Sequence, residues 1–353
     1  MGVGSDPPFH VPVARPELAV RIRRHPRGRR RPDSGPRSAA PYPRHLRTRR
    51  ARAGHRLGSL VNIPNIGSTR EATRKGHLVT QDPPGASAVS SGKLPSYDMH
   101  TANAARMWNY WIGGKDNYQV DRDAAEKVLE AMPALPLIAR LLRRFLINSV
   151  SELTAAGIRQ FLDIGTGLPT ADNTHDVAQR LAPDSRIVYV DHDPVVIRHA
   201  QALLTSSPEG KTDYIQADLR DWATISAGAQ RTLDFSQPVA ILLIAVVHFI
   251  LDEEDPQRVV SQMMADLPPG SYLVIAHAAS DIEAEIAAAM ARRYNASSTL
   301  TITPRDRATV GKFFDGLEMT GQGLVPLAQW WGSSRDATAG SGLSCYCGVG
   351  KKP

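Results

Sequence analysis

The fold turns on Phe161-Leu162-Asp163-Ile164-Gly165-Thr166-Gly167-Leu168-Pro169-Thr170. A short apolar run that meets two glycines and then a helical stretch reads as a strand, a tight turn and a helix. Outward from it the texture repeats. Apolar runs at 187–190, 214–217, 239–247 and 272–276 alternate with helical stretches at 172–181, 194–204 and 256–267. Strands apolar on both faces and separated by helix-length crossovers predict a parallel sheet covered on both sides, so the class is α/β. Later, Ser280 and Glu283 suggest a capping box for a helix to Arg293, and Thr303-Pro304 a helix ending near Gly316; 324–327 and 344–349 suit edge strands.

Before the sheet, Asp121 caps a segment with Ala124, Ala125, Val128, Leu129 and Met132 on one face. A longer helix follows, from Leu137 to Leu153, with Gly157 past its end. Residues 94–157 therefore read as a helical cap and 158–353 as the main domain. Residues 1–93 differ from both. They hold 19 Lys and Arg against 5 Asp and Glu, and 12 of the 26 prolines, so the net charge of +7 belongs to this stretch and the remainder is net acidic. Such a segment buries too little apolar area to offset its ordering entropy and reads as a disordered, basic extension. A nucleic-acid arm or targeting peptide is the functional alternative, and a stretch translated from too early a start codon the bland one.

The longest apolar run, 239–251, is shorter than the roughly 20 residues of a membrane span and contains His248. Only Cys345 and Cys347 are cysteines, and the first twenty residues lack a secretory pattern, so the expected setting is cytoplasmic and reducing. Two thiols alone are not a zinc site. Asp252, Glu253, Glu254 and Asp255 precede a helix start, where the helix dipole favours acids, so no metal is expected.

In an open α/β sheet a ligand sits beyond the carboxyl ends of the strands. A dinucleotide fingerprint would put a third glycine at 170, yet that residue is threonine and 169 is proline. The turn thus favours a ligand without a pyrophosphate. Asp191 ends the second strand, where a carboxylate accepts from both ribose hydroxyls, and Asp218 follows the third, where it accepts from an adenine amino group. Together they outline an adenosine site. Strand-end aspartates also serve as helix caps, the structural alternative for each.

The strings MWNYWIGGKDNYQVDR (107–122), FLDIGTGLPT (161–170), VYVDHDPVV (188–196), ADLRD (217–221), LLIAVVHFI (242–250) and LPPGSYLVIAHA (267–278) resemble the actinobacterial S-adenosylmethionine-dependent methyltransferase family, long catalogued as a domain of unknown function. The resemblance spans 96–353. It implies a class I, Rossmann-like methyltransferase fold with a mostly parallel seven-stranded sheet, one strand antiparallel, and bound S-adenosylmethionine. The acceptor is left open, with a small molecule favoured over nucleic acid because the body is acidic. On this reading Asp163 sits near the methionine amino group, Gly165 and Gly167 let the backbone approach the methionine part, Asp191 holds the ribose and Asp218 the adenine, with Thr166, His192 and Leu219 as further cofactor-binding residues. Segment 106–122, with Arg106, Tyr110, Gly114 and Lys115, reads as a lid over the cofactor, or else as a structural cap packed by its aromatics. It is not a phosphate loop, since Asn109 stands where that motif has glycine. His248, after the fourth strand, is the candidate general base and His277 the second, each with a structural alternative. Rivals are a nicotinamide-dependent oxidoreductase and a non-catalytic S-adenosylmethionine-binding regulator.

Overall fold

A computed structural model of the chain describes residues 100–330 and 343–353. The basic extension lies outside the described residues. Three helices come first: α1 (Ala104–Trp111), α2 (Gln119–Leu129) and α3 (Leu135–Ala155). Strand and helix then alternate through β1 (Gln160–Ile164), α4 (Thr174–Leu181), β2 (Arg186–Asp191), α5 (Pro194–Leu203), β3 (Lys211–Gln216), α6 (Trp222–Ala229), β4 (Ala240–Ile244), α7 (Pro256–Ala265) and β5 (Tyr272–Ala278). The chain closes with α8 (Ala284–Ser297), α9 (Arg307–Gly311), β6 (Glu318–Met319), β7 (Val325–Pro326), α10 (Leu327–Trp330) and β8 (Cys345–Lys351).

The sheet runs β3-β2-β1-β4-β5-β8-β6, with β7 also pairing β8. β1 to β5 are parallel to their neighbours, and β8 is antiparallel to β5, β6 and β7. Alternate residues feed two cores, as the twofold period of a strand requires. Phe161, Tyr189, Leu242 and Val274 pack under α1–α4 and α8, whereas Leu162, Val188, Ile241 and Leu273 pack against α6, α7 and α9. The reversal of strand order between β1 and β4 opens a crevice at their carboxyl ends.

Four expectations shift. Among the described residues the sheet has eight strands where seven were expected, because two-residue β6 and β7 stand side by side along β8. The fourth strand stops at Ile244, where Ala245 takes φ +57° and the chain enters a 3-10 turn at Val247–Phe249. No Ser280–Glu283 capping box forms: Ser280 N donates to Arg305 O at 3.0 Å, holding the chain beside the sheet, and α8 starts at Ala284. The Thr303-Pro304 helix start is delayed likewise, since Thr303 N bonds His248 O and Arg305 N bonds Ala278 O, so α9 begins only after Asp306, which accepts from Thr309 N. Among the described residues no helix is long and apolar enough to cross a membrane.

Candidate functional site

A cleft enclosing about 1580 Å³, part of it open to solvent, lies at the carboxyl ends of β1, β2 and β4 beneath α1, α3 and α8. Asp163, Gly165, Thr166, Gly167, Asp191, His192, Asp218, Leu219, His248 and His277 all line it. The strand ends thus bring together ten residues selected from sequence.

Asp163 is buried at the end of β1 and accepts from Thr174 Oγ1 at 2.6 Å. Burial pushes its carboxyl up to about 6, against the Thr174 bond and Arg143, which pull it down. In the turn beyond, Gly165 takes φ +74° and a side chain there would meet Val246 at 2.4 Å, so glycine is required twice over. Asp191 is buried, and its Oδ2 accepts from Gly167 N at 3.0 Å and its Oδ1 from Asp193 N at 3.0 Å. His192 beside it is half-exposed, and its ring pKa is raised chiefly by the Asp191 bond. Asp218 is paired with Arg220, whose guanidinium reaches both its oxygens at 2.8–2.9 Å and also holds Phe249 O and Glu254.

Arg106, Tyr110, Gly114 and Lys115 do not line the cleft. Arg106 is buried in an ion pair with Asp121 at 2.7 Å. Tyr110 donates to Glu126 on α2, and Lys115 is exposed. Gly114 packs against the Asn109 side chain, where a Cβ would lie 2.4 Å from Nδ2. The same helix instead turns Ala104, Ala105, Trp108 and Trp111 to the cleft. Asn103 caps α1 and donates to Asp193 Oδ2 at 2.8 Å, which fixes that helix over the loop after β2.

Arg143 was not selected from sequence. It reaches the cleft from α3, donates to Asp172 O at 2.7 Å and Ala171 O at 3.2 Å, and leaves its buried Nε without a partner among the described residues. Its electrostatic influence on Asp163 links positions twenty residues apart, so no local motif marks it. Arg305 was missed as well. It is buried and donates to Val247 O, Ile250 O, Asp252 Oδ1 and His277 Nε2. An arginine only donates, so His277 Nε2 accepts and Nδ1 carries the proton toward Ala278 O at 2.8 Å. Burial pushes His277 down to about 4.

The profile of the S-adenosyl methyltransferase family matches residues 91–353. The chain belongs to this family. A solved DUF574 family protein from Streptomyces avermitilis is 40% identical, with TM-score 0.69 over 72% of this chain and 99% of that one. A solved candidate methyltransferase from Thermobifida fusca is 33% identical, with TM-score 0.67 over 73% of this chain and 98% of that one. No curated protein matches. The protein is an S-adenosylmethionine-dependent methyltransferase of the class I, Rossmann-like fold, and S-adenosylmethionine is its cofactor. The nicotinamide reading gives way to it, in keeping with Pro169 and Thr170 where a dinucleotide loop would continue.

The residues present suit this cofactor. A zwitterionic amino-acid arm needs one anion and one cation at its end of the cleft, and Asp163 and Arg143 both line it.

Proposed function

We propose that the methyltransferase holds S-adenosylmethionine along the carboxyl edge of β1, β2 and β3 and methylates a small-molecule acceptor bound in the rest of the cleft. The observation that carries this reading is the order of Asp163, Asp191 and Asp218 at the ends of three adjacent strands, all lining one cleft. In it Asp163 takes the ammonium and Arg143 Nε the carboxylate. The Gly165–Gly167 turn lets backbone approach the arm. Asp191 accepts from the ribose hydroxyls on lone pairs left free by its two backbone bonds, with His192 alongside. Asp218 accepts from the adenine amino group, and Leu219 covers the ring.

When bound, S-adenosylmethionine would supply an activated methyl group to a lone pair of the acceptor, whose proton would pass to water at the solvent-open mouth of the cleft. The chain's share is to align the acceptor and keep water out. Trp108 and Trp111 on α1 close that side of the cleft. A small acceptor fits the enclosure, and the acidic body disfavours a phosphate backbone.

Replacing Asp191 tests the cradle. Asp191→Ala should cost about 1–3 kcal/mol of S-adenosylhomocysteine binding, roughly five- to 150-fold by calorimetry, because ribose hydroxyls lose their acceptor. Unchanged affinity in a folded variant would contradict the assignment.

A further inference from the structure

Building on that reading, the cleft divides by chemistry. Its charged lining side chains, Arg143, Asp163, Asp191, Asp218 and Arg220, with half-exposed His192, stand in the cofactor half. The half under α1 and α8 is a series of rings. Trp111 and Tyr294 lie 6.5 Å apart, Tyr294 and Phe249 6.1 Å, and Phe249 meets His248 edge-on at 4.5 Å. The lining there offers a charged acceptor no counter-ion, since Arg305 behind His277 is already paired with Asp252, and desolvating such an acceptor would be costly.

Among the polar side chains of this wall, which include His277, Tyr294 and Ser344, His248 stands out. Its Nδ1 is enclosed and has no hydrogen-bond partner among the described residues. A neutral imidazole carries one proton. Placed on Nδ1, that proton would make an orphaned buried N–H, a rarer and costlier arrangement than an unused lone pair. A second proton would put a charge near the Arg305 guanidinium, itself tied to Asp252, and 5.7 Å from the His277 ring. Burial, His277 and Arg305 accordingly hold the His248 pKa well below the ordinary value. The proton therefore belongs on Nε2, the nitrogen left for a ligand.

We propose that this half of the cleft is the acceptor subsite for an uncharged aromatic hydroxy compound, whose oxygen accepts a hydrogen bond from His248 Nε2–H. His248 then orients the acceptor and does not take its proton, a different task from the general base expected on sequence grounds. A neutral hydroxyl nucleophile is consistent with this. Its proton becomes strongly acidic only as the new bond forms, so water suffices to remove it.

Two experiments test the proposal. Long-range ¹H–¹⁵N spectra of the ¹⁵N-histidine-labelled protein, with H248Q marking the resonance, should show the Nε2–H tautomer from about pH 5.5 to 8. An Nδ1–H tautomer, or titration within that range, would overturn it. In calorimetry on protein saturated with S-adenosylhomocysteine, 1-naphthol should bind roughly tenfold or more tighter than the 1-naphthoate anion. His248→Phe should lose roughly tenfold in naphthol affinity, while His248→Gln, which still donates an N–H, should keep it. Equal affinities, absent naphthol binding, or indifference to His248→Phe would sink the subsite. Failure of S-adenosylhomocysteine to load would instead indict the cofactor reading, and the spectra would still report on His248.

Discussion

At Asp163 burial and ligand chemistry pull in opposite directions. The carboxyl is pushed up to about 6 by desolvation, so in the free protein a proton competes with the cofactor's ammonium. A raised carboxyl pKa favours folding below it and is a liability above it, and ammonium binding relieves that liability at neutral pH. Affinity for S-adenosylmethionine should therefore fall as pH drops through about 6, approaching tenfold per unit below it, and Asp163→Asn should flatten the curve; calorimetry from pH 5 to 8 measures both. Arg143 allows a sharper dissection. Arg143→Met should weaken S-adenosylhomocysteine by about 1.5–3 kcal/mol, the worth of hydrogen bonds to a charged group, yet leave 5′-methylthioadenosine, which lacks the amino-acid arm, nearly untouched. Equal losses for the two ligands would remove Arg143 from the carboxylate. The aspartates were legible because each closes an apolar run, a signal confined to a few residues. Arg143 and Arg305 were not, because distant chain segments set their roles: Arg305 acts on carbonyls more than fifty residues away.

Among the elements, the segment of α1 and α2 turns other side chains to the cleft than those expected from sequence. Its aromatics and paired glycines stood out in sequence, yet the side chains turned to the cleft are Trp108 and Trp111, while Tyr110 and Gly114 serve the cap itself. Helical periodicity does not say which face meets which neighbour. The strap between these helices is Asp121, fully buried, which accepts from Asn103 N, Tyr118 N and Arg106 Nε. Asp121→Ala should remove the carboxylate partner of the buried Arg106 guanidinium, leaving its bond to Thr101 O, and cost about 3–5 kcal/mol, read as a clear fall in thermal midpoint. A midpoint within a degree of the parent would show the pair to be dispensable. The parallel strands were legible from their double-sided apolarity. Two-residue β6 and β7 were too short to carry any period, and α9 was placed too early because pairing of Thr303 and Arg305 with the sheet side outweighed a local helix-start signal.

For the whole chain, charge and family assignment divide it at the same place. The basic excess lies before residue 94, and the family match starts at 91. Relatives covered over 98–99% of their own length account for only 72–73% of this chain. Deleting residues 1–90 should therefore leave affinity for S-adenosylhomocysteine within about twofold while abolishing retention on a cation exchanger, a pair of outcomes that calorimetry and chromatography separate. A large loss of affinity would give the extension a part in the site.

Arg305 has a consequence for how this enzyme is altered by selection or design. It cross-links the loop after β4 to the end of β5 through four acceptors, so the wall carrying His248 and His277 tolerates little change. Trp111, Met290 and Tyr294 face the same space from helices outside that cross-link. Apolar exchanges there meet only packing constraints. Retargeting to a bulkier molecule would thus accumulate changes on α1 and α8, leaving the methyl-donor machinery untouched.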